Sequence, residues 1–385
     1  MLTSQKHLFS LDPEITYLNN AYRGPMLKSS EEAALEDLEK MRNPHLLRPE
    51  DFFSGVEVVK TLFGKLVNCP PIQVAVIPST SYGFACVLNN WNPGKRKKAI
   101  SVTDEFPSGY FSLQRWADEH DSTLVAIGPE PSSGEIGKSW NDRILNEIDG
   151  NTGVVLISSV HWMNGVRFDL KQIGQRCREV GACFVVDGTQ SVGAMPIDVI
   201  ECQIDALICA TYKWLLGPYS VAMAYFSERF NSGKPLEESW MNRTSSHNFS
   251  ALTNYQPGFL PGANRYSVGE TSHFILLPIL EKALLQLLEW NPIRIQEYAG
   301  ALKNSLVDFQ NQQNLPLEVN AFTSNHLFSL PISEGQDLNE VKRILEKERI
   351  SVSVRGSSLR VSINVFNEQK DLDHLIGVLG SLPKA

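Results

Sequence analysis

Seven short runs of apolar, largely β-branched residues decide what this chain can fold into. They are "VAVIP" (74–78), "AISVT" (99–103), "TLVAIG" (123–128), "GVVLISSV" (153–160), "ACFVVD" (182–187), "DALICA" (205–210) and "SVAMAYF" (220–226). A strand with one wet face alternates apolar and polar residues. Near-continuous apolar runs of this length belong instead to strands covered on both faces. Most are separated by stretches long enough for a helix, and "DLKQIGQRCREVGA" between the fourth and fifth is an amphipathic helix stopped at Gly181. The pattern predicts an α/β architecture, a mostly parallel seven-stranded sheet with helices on both faces. The seventh run follows the sixth after a short loop, which favours an antiparallel pairing for it.

Ahead of the sheet, "SSEEAALEDLEKMR" reads as a serine-capped helix and "DFFSGVEVVKTLFGKLV" as a second helix. From about residue 273 long helical segments precede and enclose short strands, "HLFSLPI", "ISVSVR" and "SLRVSINVF", which predicts a smaller α+β C-terminal domain. At 385 residues the chain exceeds one compact core. The expected division is an N-terminal arm over 1–15, a large domain over 16–255 and a small domain over 256–385.

Open parallel sheets bind ligands beyond the carboxyl ends of their strands, so the polar residues standing there carry the functional reading. "DALICATYKWLLGP" ends a buried strand on one lysine, Lys213, a place that only a partner or a covalent task justifies. "VVDGTQSVGA" ends another on Asp187, with Gln190 three residues on; taken alone, Asp187 serves equally well as a helix N-cap. "PSTSYGF" sets Ser79, Thr80 and Ser81 at the start of a helix, either an anion cradle or a plain cap. "DEFPSGY" brings Phe106 to the rim, where a phenylalanine is otherwise core. Together these narrow the choice. An anion cradle, an aromatic face, a carboxylate with a glutamine, and an isolated lysine suit a flat, phosphorylated, cationic heteroaromatic aldehyde. Pyridoxal 5′-phosphate is that molecule.

The stretch "SSVHWMNGVRFDLKQIG…GACFVVDGTQSVGAMPIDV…DALICATYKWLLGP" resembles the class V aminotransferase family of pyridoxal-phosphate enzymes, which includes cysteine desulfurases, isopenicillin-N-epimerase-like proteins and kynureninases. The resemblance runs from "TYLNNAYRGPM" to "LRVSINVFNEQKDLDHLI", nearly the whole chain, and implies fold type I. It implies that Lys213 forms the Schiff base and shuttles protons, that Asp187 pairs with the pyridinium nitrogen, and that Gln190 meets the phenolic oxygen. Thr80 and Ser81 would hold the phosphate, with Tyr212 where relatives carry a phosphate-binding histidine or tyrosine. Phe106 would stack on the ring where desulfurases carry a histidine. Arg360 would grip the substrate carboxylate, a task suited to a bidentate guanidinium, with Arg355 as the nearby competitor. Asn20, Ala21 and Tyr22 would line the substrate entrance, with His161 and Trp162 as pocket wall. "GANRYSVGETSHF" matches a family segment that reaches the neighbouring subunit, so Gly269, Glu270 and Thr271 would complete the phosphate site in trans, as in a homodimer.

Composition removes other classes. A net charge of −8 argues against a general nucleic-acid binder, and the basic cluster from Lys95 to Lys98 reads as a solvated turn. No 18-residue apolar run suggests a membrane span. Six scattered cysteines without metal-ligand spacing fit reduced thiols in a cytoplasmic protein with no metal site. A dinucleotide oxidoreductase would show a glycine fingerprint after "VAVIP", and none is there. An inactive scaffold would have no need to keep Lys213, Asp187 and Arg360 together. Within the family, a desulfurase needs a nucleophilic cysteine shortly before the carboxylate-binding arginine; "ERISVSVRGSSLR" has none, and no cysteine follows Cys209. The expectation is an aminotransferase acting on a small amino-acid substrate. A C–S or other β-lyase, an epimerase and a kynureninase-like hydrolase are the alternatives.

Overall fold

The structure is a computed structural model and describes residues 2–130, 134–333 and 335–382. After a two-residue strand β1 (Thr16–Tyr17), the seven apolar runs form one sheet: β2 (Val74–Ile77), β3 (Lys98–Val102), β4 (Thr123–Ile127), β5 (Thr152–Ser158), β6 (Cys183–Asp187), β7 (Ala206–Ala210) and β8 (Ala222–Phe226). Their order is β2-β8-β7-β6-β5-β3-β4. Neighbours pair in parallel except β8, which runs antiparallel to both β2 and β7, as the short loop before it implied. Every strand but the edge strand β4 is buried along its whole length, which is why the runs show no alternation.

Alternate residues of each strand feed two cores. Phe184 and Val186 pack with residues of α2 (Asp51–Val67), α5 (Ile136–Glu147), α6 (Leu170–Val180) and α7 (Leu276–Trp290). Cys183 and Val185 pack with α3 (Thr80–Leu88) and α4 (Pro107–Glu119). Two expectations fail locally. The serines do not cap α1 (Lys28–Met41): its N-cap is Leu27, and Ser30 is buried with its hydroxyl donating to the Ile279 carbonyl at 3.0 Å. Docking on α7 has taken the hydroxyl that a cap would use. Lys98 is not solvated either. It opens β3, is 9% exposed, and sits 2.9 Å from the carboxylates of Glu147 and Asp149, because a buried ammonium needs counter-charge.

The C-terminal residues build a third, smaller core. Strands β9 (Leu327–Pro331), β11 (Ser353–Arg355) and β12 (Ser358–Ser362) form an antiparallel sheet in the order β11-β12-β9, while β10 (Ile350–Ser351) pairs in parallel with β1. Leu359 and Val361 face the core built with α8 (Pro292–Gln312), α9 (Leu338–Lys347) and α10 (Gln369–Gly380). Arg360 pairs with Ser353 and Arg355 with Ser358, so both arginines stand on the opposite face of this sheet. That face meets the carboxyl ends of the large sheet. The N-terminal segment lies between: Asn19 bridges Ser362, and the Gly24 N–H donates to the Tyr212 carbonyl at 2.9 Å. A Cβ on Gly24 would sit 2.2 Å from the Lys213 carbonyl oxygen, so only glycine lets this segment lie on the lysine loop. Among the described residues no helix is long and apolar enough to cross a membrane.

Candidate active site

The carboxyl ends of β2, β3, β5, β6 and β7 open on a cavity of about 380 Å³ whose wall includes Thr80, Phe106, Asp187, Gln190, Tyr212 and Lys213. Lys213 lies three residues past β7 in a loop that cannot move freely. Trp214, Leu215 and Leu216 are buried behind it, and the Thr211 hydroxyl bonds the carbonyls of Pro218 and Val221 at 2.6 and 2.7 Å. Burial pushes the Lys213 ammonium down to about 8, with Asp187 opposing the shift. At pH 7.5 roughly a quarter of such an amine is free base, against about one in a thousand for an ordinary lysine. Its Nζ lies 5.6 Å from the centroid of the Phe106 ring and 5.7 Å from that of Tyr212.

Asp187 closes β6 and is 6% exposed. No helix follows it; its Oδ1 accepts the Thr189 N–H at 2.8 Å in a local turn. Burial raises its pKa, while Thr189 and Lys213 pull it down. A buried carboxylate so lightly partnered invites a cation. Gln190 has its orientation set by the chain: its Oε1 accepts the Trp214 indole N–H at 2.8 Å and its Nε2 donates to the Ala21 carbonyl at 3.2 Å. One Nε2 proton is left for a ligand oxygen. Below it the His326 ring, pushed down to about 4 by burial and thus neutral, bridges the Gln190 carbonyl and the Gln296 amide.

At the other end of the cavity stands the N-terminus of α3. Ser79 is its N-cap, accepting the Tyr82 N–H at 3.2 Å, so the N–H groups of Thr80 and Ser81 remain without intrahelical acceptors. Tyr212 packs on Tyr219 with ring centroids 4.7 Å apart, and Tyr219 and Ser220 join the wall. The α3 N-terminus supplies the positive dipole end that an anion needs.

On the substrate side Trp162 joins two groups of residues. Its ring stands edge-on to Phe106 at 5.6 Å, and its carbonyl accepts Arg360 Nη1 at 2.9 Å. Arg360 is 2% exposed, and its Nε and Nη2 have no hydrogen-bond partner. Asn20 is fully buried, with Oδ1 on Asn364 and Nδ2 unpartnered, whereas Tyr22 is 61% exposed. The ring nitrogens of His161 are taken by the Asp104 carbonyl and by Asn164. Gly269 and Thr271 stand apart from their own chain's cavity: the Gly269 N–H bonds Glu237, Thr271 is buried against Met241, and Glu270 is exposed with φ 59°.

One buried acid was missed from the sequence. Glu105 precedes Phe106 and accepts from the Phe106 N–H and the Ser158 N–H, each at 2.7 Å, and from the Ser158 hydroxyl. It thereby clamps the end of β3 to the end of β5 and fixes the backbone that carries the Phe106 ring. Burial pushes its carboxyl up to about 7, against the pull of Ser158. In "DEFPSGY" it looks like any loop acid; only the β3–β5 pairing shows what it holds. Glu105→Gln turns one acceptor into a donor facing N–H groups. It is expected to lower stability by about 2 kcal/mol and to weaken cofactor binding about tenfold, read by thermal melts and cofactor titration. Unaltered affinity would mean that Phe106 is held without it.

These residues fit pyridoxal phosphate: a buried amine low in pKa, a lightly partnered carboxylate, an oriented amide, an aromatic face and an anion cradle, all on one cavity wall. Fold and site together define a fold-type-I pyridoxal-phosphate enzyme. The sequence matches the aminotransferase class-V family over residues 42–375, and the chain belongs to that family. It is 24% identical over 321 residues to the uncharacterized aminotransferase YcbU of Bacillus subtilis, covering 83% of this chain and 82% of that one. It is 26% identical over 205 residues to a kynureninase of Cryptococcus neoformans, covering 51% of this chain and 44% of that protein. In structure it overlays a cysteine desulfurase from Thermococcus onnurineus at TM-score 0.84 and 19% identity, covering 98% of both chains. It also overlays C-DES carrying glycine linked to pyridoxal phosphate at TM-score 0.83 and 18% identity, covering 99% and 100%. At such identities the overlays speak for the fold.

Proposed function

We propose that this enzyme is an aminotransferase acting on an amino acid. The observation that carries the reading is the make-up of the cavity wall: one amine, Lys213, with hydroxyls, Asp187, Gln190 and aromatic rings, and neither a thiol nor an imidazole among the described residues lining it. Bound pyridoxal phosphate supplies an electron-withdrawing ring that acidifies the substrate Cα–H. Lys213 Nζ, the one amine on the cavity wall, would carry that proton between the substrate Cα and the cofactor C4′. Asp187 holds the proton on the ring nitrogen, and Arg360 orients the substrate by its carboxylate. A persulfide route would need a thiol, and Cys209 is buried inside β7 with its pKa pushed well up by burial.

The test is a single-turnover titration of the holoenzyme with L-amino acids. One of them is expected to convert the cofactor to its pyridoxamine form with release of one equivalent of 2-oxo acid. Release of pyruvate and ammonia, or of alanine, with the cofactor unchanged would replace transamination by elimination or by kynureninase-like cleavage. The active unit in this proposal is a homodimer, with Gly269, Glu270 and Thr271 reaching the phosphate end of the neighbouring copy. An outward aromatic patch supports it: Trp240, 39% exposed, packs with Phe52, Phe53 and Phe249. Sedimentation as a monomer at assay concentrations would rule that out.

A further inference from the structure

The orphaned atoms of the two arginines form a pattern. In Arg360, Nη1 is tied to the Trp162 carbonyl, and the unpartnered pair is Nε and Nη2. Those two nitrogens share one edge of the guanidinium, the edge that meets a carboxylate side-on with two parallel hydrogen bonds. Arg355 shows part of the same arrangement. Its Nη1 donates to the Val354 carbonyl at 2.7 Å, and its buried Nε has no partner. Its guanidinium lies 5.5 Å from the centroid of the Trp162 ring, and the backbone carbonyl of that same residue holds Arg360. The β11–β12 register puts both arginines on one face of the small sheet. No ion pair with either arginine occurs among the described residues, although Arg355 is close enough to lower the pKa of Arg360. Asp187 and Glu105, the buried acids beside the cavity, are already committed to Thr189 and to the Ser158–Phe106 backbone.

A substrate with one carboxylate satisfies one such edge and leaves a second guanidinium uncompensated beside it. We propose that Arg355 binds a second acidic group, so that the amino donor is an α-amino acid with an anionic side-chain end, a dicarboxylate or its sulfinate or sulfonate counterpart. The inference rests on the reading of this site as one that takes an amino acid. Arg360 takes the α-carboxylate, Arg355 the side-chain anion, and Trp162 sets the distance between them.

The experiment uses the holoenzyme and ligands without an amino group, so that it reads recognition apart from turnover. Succinate and glutarate are compared with butyrate and valerate by calorimetry and by the shift of the cofactor absorbance band. The dicarboxylates are expected to bind roughly 10- to 100-fold more tightly, the range of one charged hydrogen-bonded pair. In Arg355→Gln the ratio falls to near one. Arg355→Lys keeps the charge without the fork and holds a ratio between the two, and it serves if Arg355→Gln fails to retain cofactor. Equal binding of both acid classes to the unmodified enzyme overturns the proposal, as does a ratio that survives Arg355→Gln. If the ratio behaves as expected but no amino acid converts the cofactor, transamination falls and the acidic-substrate assignment stands. If a monocarboxylic amino acid such as L-2-aminobutyrate converts it as fast as L-aspartate, the reverse holds.

Discussion

Lys213→Ala is expected to lower turnover by about 10⁴-fold or more, the loss of covalent attachment and of the base that moves the Cα proton. The same variant should lose the cofactor absorbance near 410–430 nm (about the range of a lysine-linked pyridoxal) and its fixation by borohydride. A retained, reducible band would show that another amine holds the cofactor. The depressed pKa makes a second, independent forecast for the cofactor-free protein. The unfolded chain binds a proton at this lysine below about 10.5 and the folded chain only below about 8. Between those values the unfolded state carries the extra proton, so stability rises with pH across the window and is lost as pH falls through it. The lysine's share is roughly 3 kcal/mol. It is read as the pH-dependent difference in urea unfolding between the wild type and Lys213→Met. A flat difference between pH 8 and 10 would mean that the amine is better hydrated than its burial suggests.

Asp187→Asn should move stability and activity in opposite directions. In the cofactor-free protein the carboxylate is buried against one strong donor, Thr189, and burial raises its pKa. A neutral amide can still accept the Thr189 N–H and avoids burying a charge, so the apo variant is expected to gain about 1–3 kcal/mol. With cofactor bound the same change would remove the charge proposed to keep the ring nitrogen protonated. Turnover should fall about 10³-fold, in the range for losing one preorganised electrostatic partner. Thermal melts of the apo protein and single-turnover kinetics of the reconstituted one check the two halves. An apo variant less stable than wild type would mean that Asp187 is charged and well satisfied without any ligand.

Much of the large sheet was legible because its strands are covered on both faces and so carry an unbroken apolar signature. β6, from Cys183 to Asp187, coincides with "ACFVVD" but for its first residue. The residues at the strand ends were legible for a related reason. A lysine shortly after such a run, or an aspartate closing one, breaks the pattern so sharply that it demands a task. What escaped were groups whose role depends on partners far along the chain. Glu105 shows its function only when Ser158, fifty-three residues on, is placed beside it. His326 reaches Gln190 across 136 residues, and nothing around "SNHLF" hints at it. Ser30 looked like a cap because its true acceptor, Ile279, lies 249 residues away. Arg355 and Arg360 were legible as candidates. Their shared face came from strand register, which sequence spacing across a tight hairpin does not determine.

The N-terminal segment has a consequence for how the enzyme is made. Gln5 bonds Val365, Thr16 pairs with Ile350 and Asn19 with Ser362, so residues 5–19 can take their places only after residues 350–365 have been made. Domains generally fold as units during synthesis. Here the cofactor-facing residues from Thr80 to Ser220 emerge well before the strands bearing Arg355 and Arg360. In the proposed reading the residues assigned to the cofactor are therefore made before those assigned to the amino acid, and residues 5–19 dock only once the later strands exist.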